Sequence, residues 1–169
     1  MNPIIAITIG DPAGIGPEVT AKALGHDEVW ACCRPLVVGD AGVMRRAAAL
    51  VGCPAGLHAV SDPTEARYDP AAPDVLDLAN VDAAVQPGVV SAAAGRAPAA
   101  DIERAVELAR KGQVAAIATG PINKAALKAA RIPYIGHTEM IAELLESPPV
   151  TTMLATEGLR AVHVTRHVA

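Results

Sequence analysis

Lys124, His137, Thr138 and His167 are the residues whose types and spacing could do chemistry. Lys124 closes the run Ala118-Thr119-Gly120-Pro121-Ile122-Asn123-Lys124, in which an apolar strand (114–119) meets a Gly-Pro turn. That turn places Asn123 and Lys124 at a helix start. After a short helix, Tyr134-Ile135-Gly136-His137-Thr138-Glu139 makes a second turn and a second helix start. Helix starts carry unpaired N–H groups and the positive end of the dipole, so phosphate or carboxylate is favoured there. An amine, an imidazole and a hydroxyl stand beside them. Each also has a plainer reading. Lys124 fits a solvated first-turn lysine, Asn123 a helix cap, and His137 an incidental surface histidine beside a capping Thr138. Types and spacing leave both readings open.

His163 and His167 are four residues apart. On a helix that spacing puts two imidazoles on one face, as in zinc-binding HExxH segments. Here Val162, Val164, Thr165 and Val168 favour a strand. Four strand residues span roughly 13 Å, whereas zinc–nitrogen bonds are about 2 Å long. The pair therefore does not share a metal. His167, at the strand's end, is the better candidate ligand, because strand ends feed the sites of open α/β sheets. His163 reads as structural. His26 and His58 carry no supporting context.

A third chemical stretch lies near the start. The apolar run Pro3 to Ile9 leads into Gly10-Asp11-Pro12-Ala13-Gly14-Ile15-Gly16-Pro17-Glu18. Strand, Gly-rich turn and helix is the arrangement that holds nucleotides or phosphates in α/β proteins. The spacing is not GxGxxG, because Val19 stands where the third Gly would be, and no P-loop Gly-Lys-Ser/Thr follows. A tight strand-to-helix turn without a ligand fits equally well.

The elements that must position these residues alternate β and α. Strands are expected near 3–9, 35–38, 57–60, 75–78 and 114–119. Helices are expected near 17–24, 41–50 and from Ser91 or Pro98 to Lys111. In the last, Ile102, Ala105, Val106 and Ala109 share one face, and Glu103, Arg104 and Glu107 form a solvated one. Thr138 is the expected cap of a helix over Glu139–Leu145. Two β-rich runs, Thr151–Thr156 and Leu159–Thr165, flank Glu157-Gly158 as a hairpin or neighbouring strands. The alternation predicts an α/β fold with a mostly parallel sheet and helices on both faces.

Composition narrows the function classes. The chain has 169 residues, 51% of them apolar, and a formal charge of −4. That suits one ordinary domain. No basic stripe is present, which argues against nucleic acid as a partner. No run reaches the roughly 20 apolar residues needed to span a bilayer. Three cysteines without CxxC spacing read as reduced thiols in a cytoplasmic protein.

Four stretches, Gly10–Glu18, Thr119–Lys124, Gly136–Glu139 and Val164-Thr165-Arg166-His167-Val168, occur in the order seen in 4-hydroxythreonine-4-phosphate dehydrogenases. The chain resembles that family over essentially its whole length. The first stretch is also similar to the Gly-Asp-Gly-Ile-Gly-Pro-Glu turn of isocitrate and isopropylmalate dehydrogenases, which implies their fold. The resemblance implies NAD- or NADP-linked oxidation of 4-phosphooxy-L-threonine to a β-keto acid that decarboxylates, in pyridoxal 5'-phosphate synthesis. It implies a divalent metal (Zn, Mg or Co) held by three histidines at a homodimer interface, with His167 matching the first. His137 and Thr138 match substrate-binding residues, and Lys124 matches the lysine of the family's Pro-x-x-Lys motif, read here as catalytic. Arg166 departs from the Thr often found before the metal histidine. Members are about twice as long. Residues 1–169 are thus expected to be the N-terminal portion of a two-domain dehydrogenase, with the other metal histidines beyond Ala169. The same stretches suit relatives acting on D-threonate or D-erythronate 4-phosphate. A non-catalytic phosphate-binding fragment is the alternative of another class.

Overall fold

The computed structural model describes residues 2–53, 56–147 and 150–162. His163 and His167, both expected on a strand, lie outside the described residues.

Strands β1 (Ile4–Thr8), β2 (Arg34–Gly39), β3 (His58–Val60), β4 (Asp74–Asp77) and β5 (Ala116–Thr119) form one sheet in the order β3-β4-β2-β1-β5. Every pairing in it is parallel. β2 is central, and Pro35 to Gly39 are buried without alternation, as a strand covered on both faces requires. Helices α1 (Gly16–Leu24), α2 (Asp27–Cys32), α3 (Ala41–Leu50), α4 (Ala92–Arg110), α5 (Lys124–Ala129) and α6 (His137–Leu144) complete the domain. An antiparallel hairpin of β6 (Met153–Thr156) and β7 (Leu159–Val162) ends the described chain. No helix among the described residues is long and apolar enough to cross a membrane.

The core has two layers, one on each sheet face. Ile9 and Val37 pack with Ala21 and Leu24 of α1 and with Val43, Met44 and Ala47 of α3. On the other face Ala6, Leu36, Val38 and Leu76 meet Ala105 and Leu108 of α4. Burying a side chain of this size stabilises by roughly 1.5–3 kcal/mol. A third cluster joins Ile102 and Val106 of α4 to Met140 of α6. The expected α/β fold with helices on both faces is therefore present.

Local chemistry sets the boundaries. Asp40 caps α3, its Oδ1 accepting the Val43 N–H at 2.8 Å. Ser91 caps α4 in the same way, so that helix starts at the earlier of the two expected points and carries Pro98 within it. Glu107 pairs with Arg104 and Lys111 on the solvated face. Helix α2 was not expected from the sequence. It is short, and its charged start (Asp27, Glu28) and lack of an apolar stripe hide it. Thr138 is not the cap of α6. Gly136 holds that position, and Thr138 sits inside the first turn. Glycine is a tolerated cap but offers no side chain, which is why the hydroxyl next door looked the better candidate.

Candidate functional site

The site is built where two parallel strands end together. Thr8 of β1 stands opposite Thr119 of β5, so the turns that follow lie side by side at the carboxyl end of the sheet. Their backbones interlock. The Gly120 N–H donates to the Thr8 carbonyl at 2.8 Å, and the Asp11 N–H donates to the Pro121 carbonyl at 2.9 Å. Gly10 has φ +76°, and a Cβ there would lie 2.3 Å from the Pro121 oxygen. A Cβ on Gly120 would lie 2.6 Å from the Ile9 oxygen. Both positions need glycine because main chain presses on main chain.

Asp11 shapes the first turn. It is buried, its Oδ1 accepts the Ala13 N–H at 2.8 Å, and its carbonyl accepts the Gly14 N–H at 3.0 Å. An open cleft of about 440 Å³ lies between the turns, lined by Asp11, Gly14, Ile15, Pro121, Ile122, Asn123 and Lys124. Lys124 is exposed and makes no ion pair among the described residues. Asn123 is the cap of α5, its Oδ1 accepting from Ala125 N–H (2.9 Å) and Ala126 N–H (3.2 Å). Those amides are therefore spent within the chain. Lys124 is the one cationic side chain among the residues that line the cleft.

His137 is tied to the same turn. Its Nε2 lies 3.0 Å from the Gly120 carbonyl oxygen. A carbonyl only accepts, so Nε2 carries the proton and Nδ1 of the neutral ring is the acceptor. Burial holds the imidazole below its ordinary value of 6.5, with the Gly120 bond opposing. A neutral ring with its N–H committed is a poor partner for an anion and a good acceptor for a hydroxyl. Thr138 is half-buried beside it. Lys124 and His137 thus share one anchoring turn, although His137 and Thr138 do not line the Lys124 cleft.

The described residues contain no group of three His, Cys, Asp or Glu side chains placed to hold a metal ion. His167 lies outside them. These residues alone therefore do not make a donor set for a divalent metal.

Two acids were missed by sequence reasoning. Asp11 was read only as part of a Gly-rich turn. Asp101 was not singled out, yet it is fully buried. It falls on the buried α4 stripe Ala94, Pro98, Asp101, Ala105, Leu108, and that i, i+3, i+4 placement was the available signal. Its Oδ1 accepts from Asn80 Nδ2 at 2.9 Å, and Oδ2 has no partner among the described residues. Burial pushes its pKa up to about 8, with Asp40 adding to the effect and Asn80 opposing it. His58, which the sequence left without context, bonds the fully buried Asp74 at 2.7 Å. Asp74 also accepts the Arg67 and Tyr68 N–H groups. That acid ties the 61–73 loop to the sheet.

The sequence pattern of the family described as pyridoxal phosphate biosynthetic protein PdxA matches residues 31–169. The chain is 51% identical over 169 residues to a provisionally named D-threonate 4-phosphate dehydrogenase of Symbiobacterium thermophilum, covering 99% of this chain and 50% of that protein. It is 47% identical over 166 residues to the D-threonate 4-phosphate dehydrogenase of Cupriavidus necator, covering 98% of this chain and 50% of that one. A crystal structure of a 4-hydroxythreonine-4-phosphate dehydrogenase from Burkholderia phymatum superposes with a TM-score of 0.94 at 45% identity, covering 100% of this chain and 51% of the other. The chain spans about half the length of the relatives it matches.

Proposed function

Because the chain belongs to the PdxA family, we propose that residues 1–169 form the first half of a two-domain dehydrogenase that oxidises a 4-phosphorylated hydroxy acid with NAD or NADP. The observation that carries this reading is the clasp of the β1 and β5 turns, which leaves an unpaired Lys124 over an open cleft.

Each residue has a role fitted to its chemistry. Lys124 holds an anionic group of the substrate, phosphate or carboxylate, as a point charge. His137 accepts a hydrogen bond from a substrate hydroxyl at Nδ1, with its ring oriented by Gly120. Thr138 adds a hydroxyl beside it. The nicotinamide, when bound, takes the hydride from the secondary alcohol. Oxidation β to the carboxylate yields a β-keto acid, which loses carbon dioxide readily. His167 would contribute one imidazole to a divalent metal, which would supply Lewis-acid polarisation of the substrate alcohol.

Between substrates, D-threonate 4-phosphate is favoured over 4-phosphooxy-L-threonine. The relatives at 51% and 47% identity bear the former name. The structural neighbour at 45% bears the latter. The two compounds share the phosphate, the carboxylate and a secondary alcohol, so the same Lys124 and His137 serve either.

The test is NAD(P)H formation, followed by absorbance, from each substrate with the protein encoded by the complete reading frame. Turnover of D-threonate 4-phosphate at the higher kcat/KM is expected. Preference for 4-phosphooxy-L-threonine would reverse the substrate assignment. No nicotinamide reduction with either would overturn the dehydrogenase reading.

A further inference from the structure

At the opposite end of the strands from the cleft, the chain carries two adjacent cysteines. Cys32 is the last residue of α2, and Cys33 is its C-terminal cap, just ahead of Arg34 in β2. Their thiols converge. Both Sγ atoms lie 3.3 Å from the same acceptor, the Val29 carbonyl oxygen, which also accepts the Cys33 N–H at 3.0 Å. Each thiol donates to that one oxygen, so the two S–H groups point to the same place. Cys32 is exposed and Cys33 is largely buried beneath it. The third cysteine, Cys53, follows α3 and makes no part of this pair.

We propose that Cys32 and Cys33 form a vicinal dithiol site that captures a trivalent arsenical. Soft thiolate donors suit a soft, three-coordinate centre. A direct disulfide is the poorer outcome. Adjacent Cα atoms are about 3.8 Å apart across a trans peptide, below the usual disulfide span of about 4.4–6.8 Å. A bridging atom lengthens the path between the sulfurs and relieves that constraint. With phenylarsine oxide, two As–S bonds form and the As–O double bond breaks. The two thiol protons leave on that oxygen as water. No atom changes oxidation state, so no oxidant is needed.

Burial and the neighbouring Cys32 thiol push the Cys33 thiol up, which keeps its proton on. Capture withdraws both sulfurs from the Val29 carbonyl, loosening the last turn of α2. The only tryptophan, Trp30, lies in that turn, with its Nε1–H donating to the Leu24 carbonyl at 2.8 Å. It reports the change.

The experiment titrates the reduced, thiol-free protein with phenylarsine oxide and follows intact mass and Trp30 fluorescence. One adduct per chain is expected, with a fluorescence change, released by a 1,2-dithiol and not by a monothiol. Cys32→Ser should weaken capture roughly a hundredfold or more by removing one arm of the chelate. Cys53→Ser should leave it unchanged. Because Cys32 is exposed, its serine variant keeps the fold, and a circular dichroism spectrum checks this. Retained capture in Cys32→Ser, loss in Cys53→Ser, or release by monothiol would each overturn the proposal.

Discussion

The Nε2 of His137 is bonded to the carbonyl oxygen of Gly120 at 3.0 Å, across seventeen residues of chain. That bond fixes which nitrogen of the ring faces the site. It predicts a neutral Nε2–H tautomer titrating below 6.5, because burial disfavours the imidazolium. The folded value is depressed, so His137 lowers stability as pH falls from 6.5 toward the folded pKa and has no further effect below it. Nitrogen-15 NMR of the imidazole checks both points. A ring protonated at Nδ1, or a midpoint above 6.5, would contradict the assignment.

Gly10→Ala tests the clasp. Its Cβ would lie 2.3 Å from the Pro121 oxygen, and φ +76° is strained for alanine. A loss of about 3 kcal/mol is expected from chemical denaturation. In the proposed two-domain dehydrogenase, affinity for substrate should fall as the turn bearing Lys124 shifts. A variant as stable as the parent would mean that the two turns separate freely.

Asp101 sets a pH dependence of its own. Its folded pKa is about 8 against an ordinary 3.8, so the folded state holds the proton more tightly. Its contribution is complete below 3.8, declines as pH rises, and levels off above about 8. Asp101→Asn should flatten that slope and raise the urea midpoint at mildly alkaline pH. An unchanged slope in the variant would show that Asp101 is ionised in the fold.

Asp74→Ala removes the partner of His58 and of two backbone N–H groups. A cost of about 3 kcal/mol is expected, because buried donors lose their acceptor. Proteolysis should then cut first in the 61–73 segment. Cleavage elsewhere would place the weak point outside this loop.

Much of the sheet was legible because buried parallel strands read as unbroken apolar runs, as Pro35 to Val38 do. Helix α4 was legible from the spacing of Ile102, Ala105 and Val106. Helix α2 was not, since a six-residue helix needs no stripe. At the site, the positions of Asn123 and Lys124 followed from the Gly-Pro turn. The bond of His137 to Gly120 did not, because local sequence carries no record of which carbonyl a ring will meet. Asp101 hid for the opposite reason: composition treats a charged residue as surface, and only its place on the α4 stripe betrays it.

In the proposed function the paired turns hold a phosphorylated hydroxy acid through Lys124. Calorimetric titration of D-threonate 4-phosphate into the proposed two-domain protein and its Lys124→Met variant tests this directly. Loss of at least about tenfold in affinity, or about 1.4 kcal/mol, is predicted with the fold intact. Equal affinity in the two proteins would show that Lys124 does not hold the substrate.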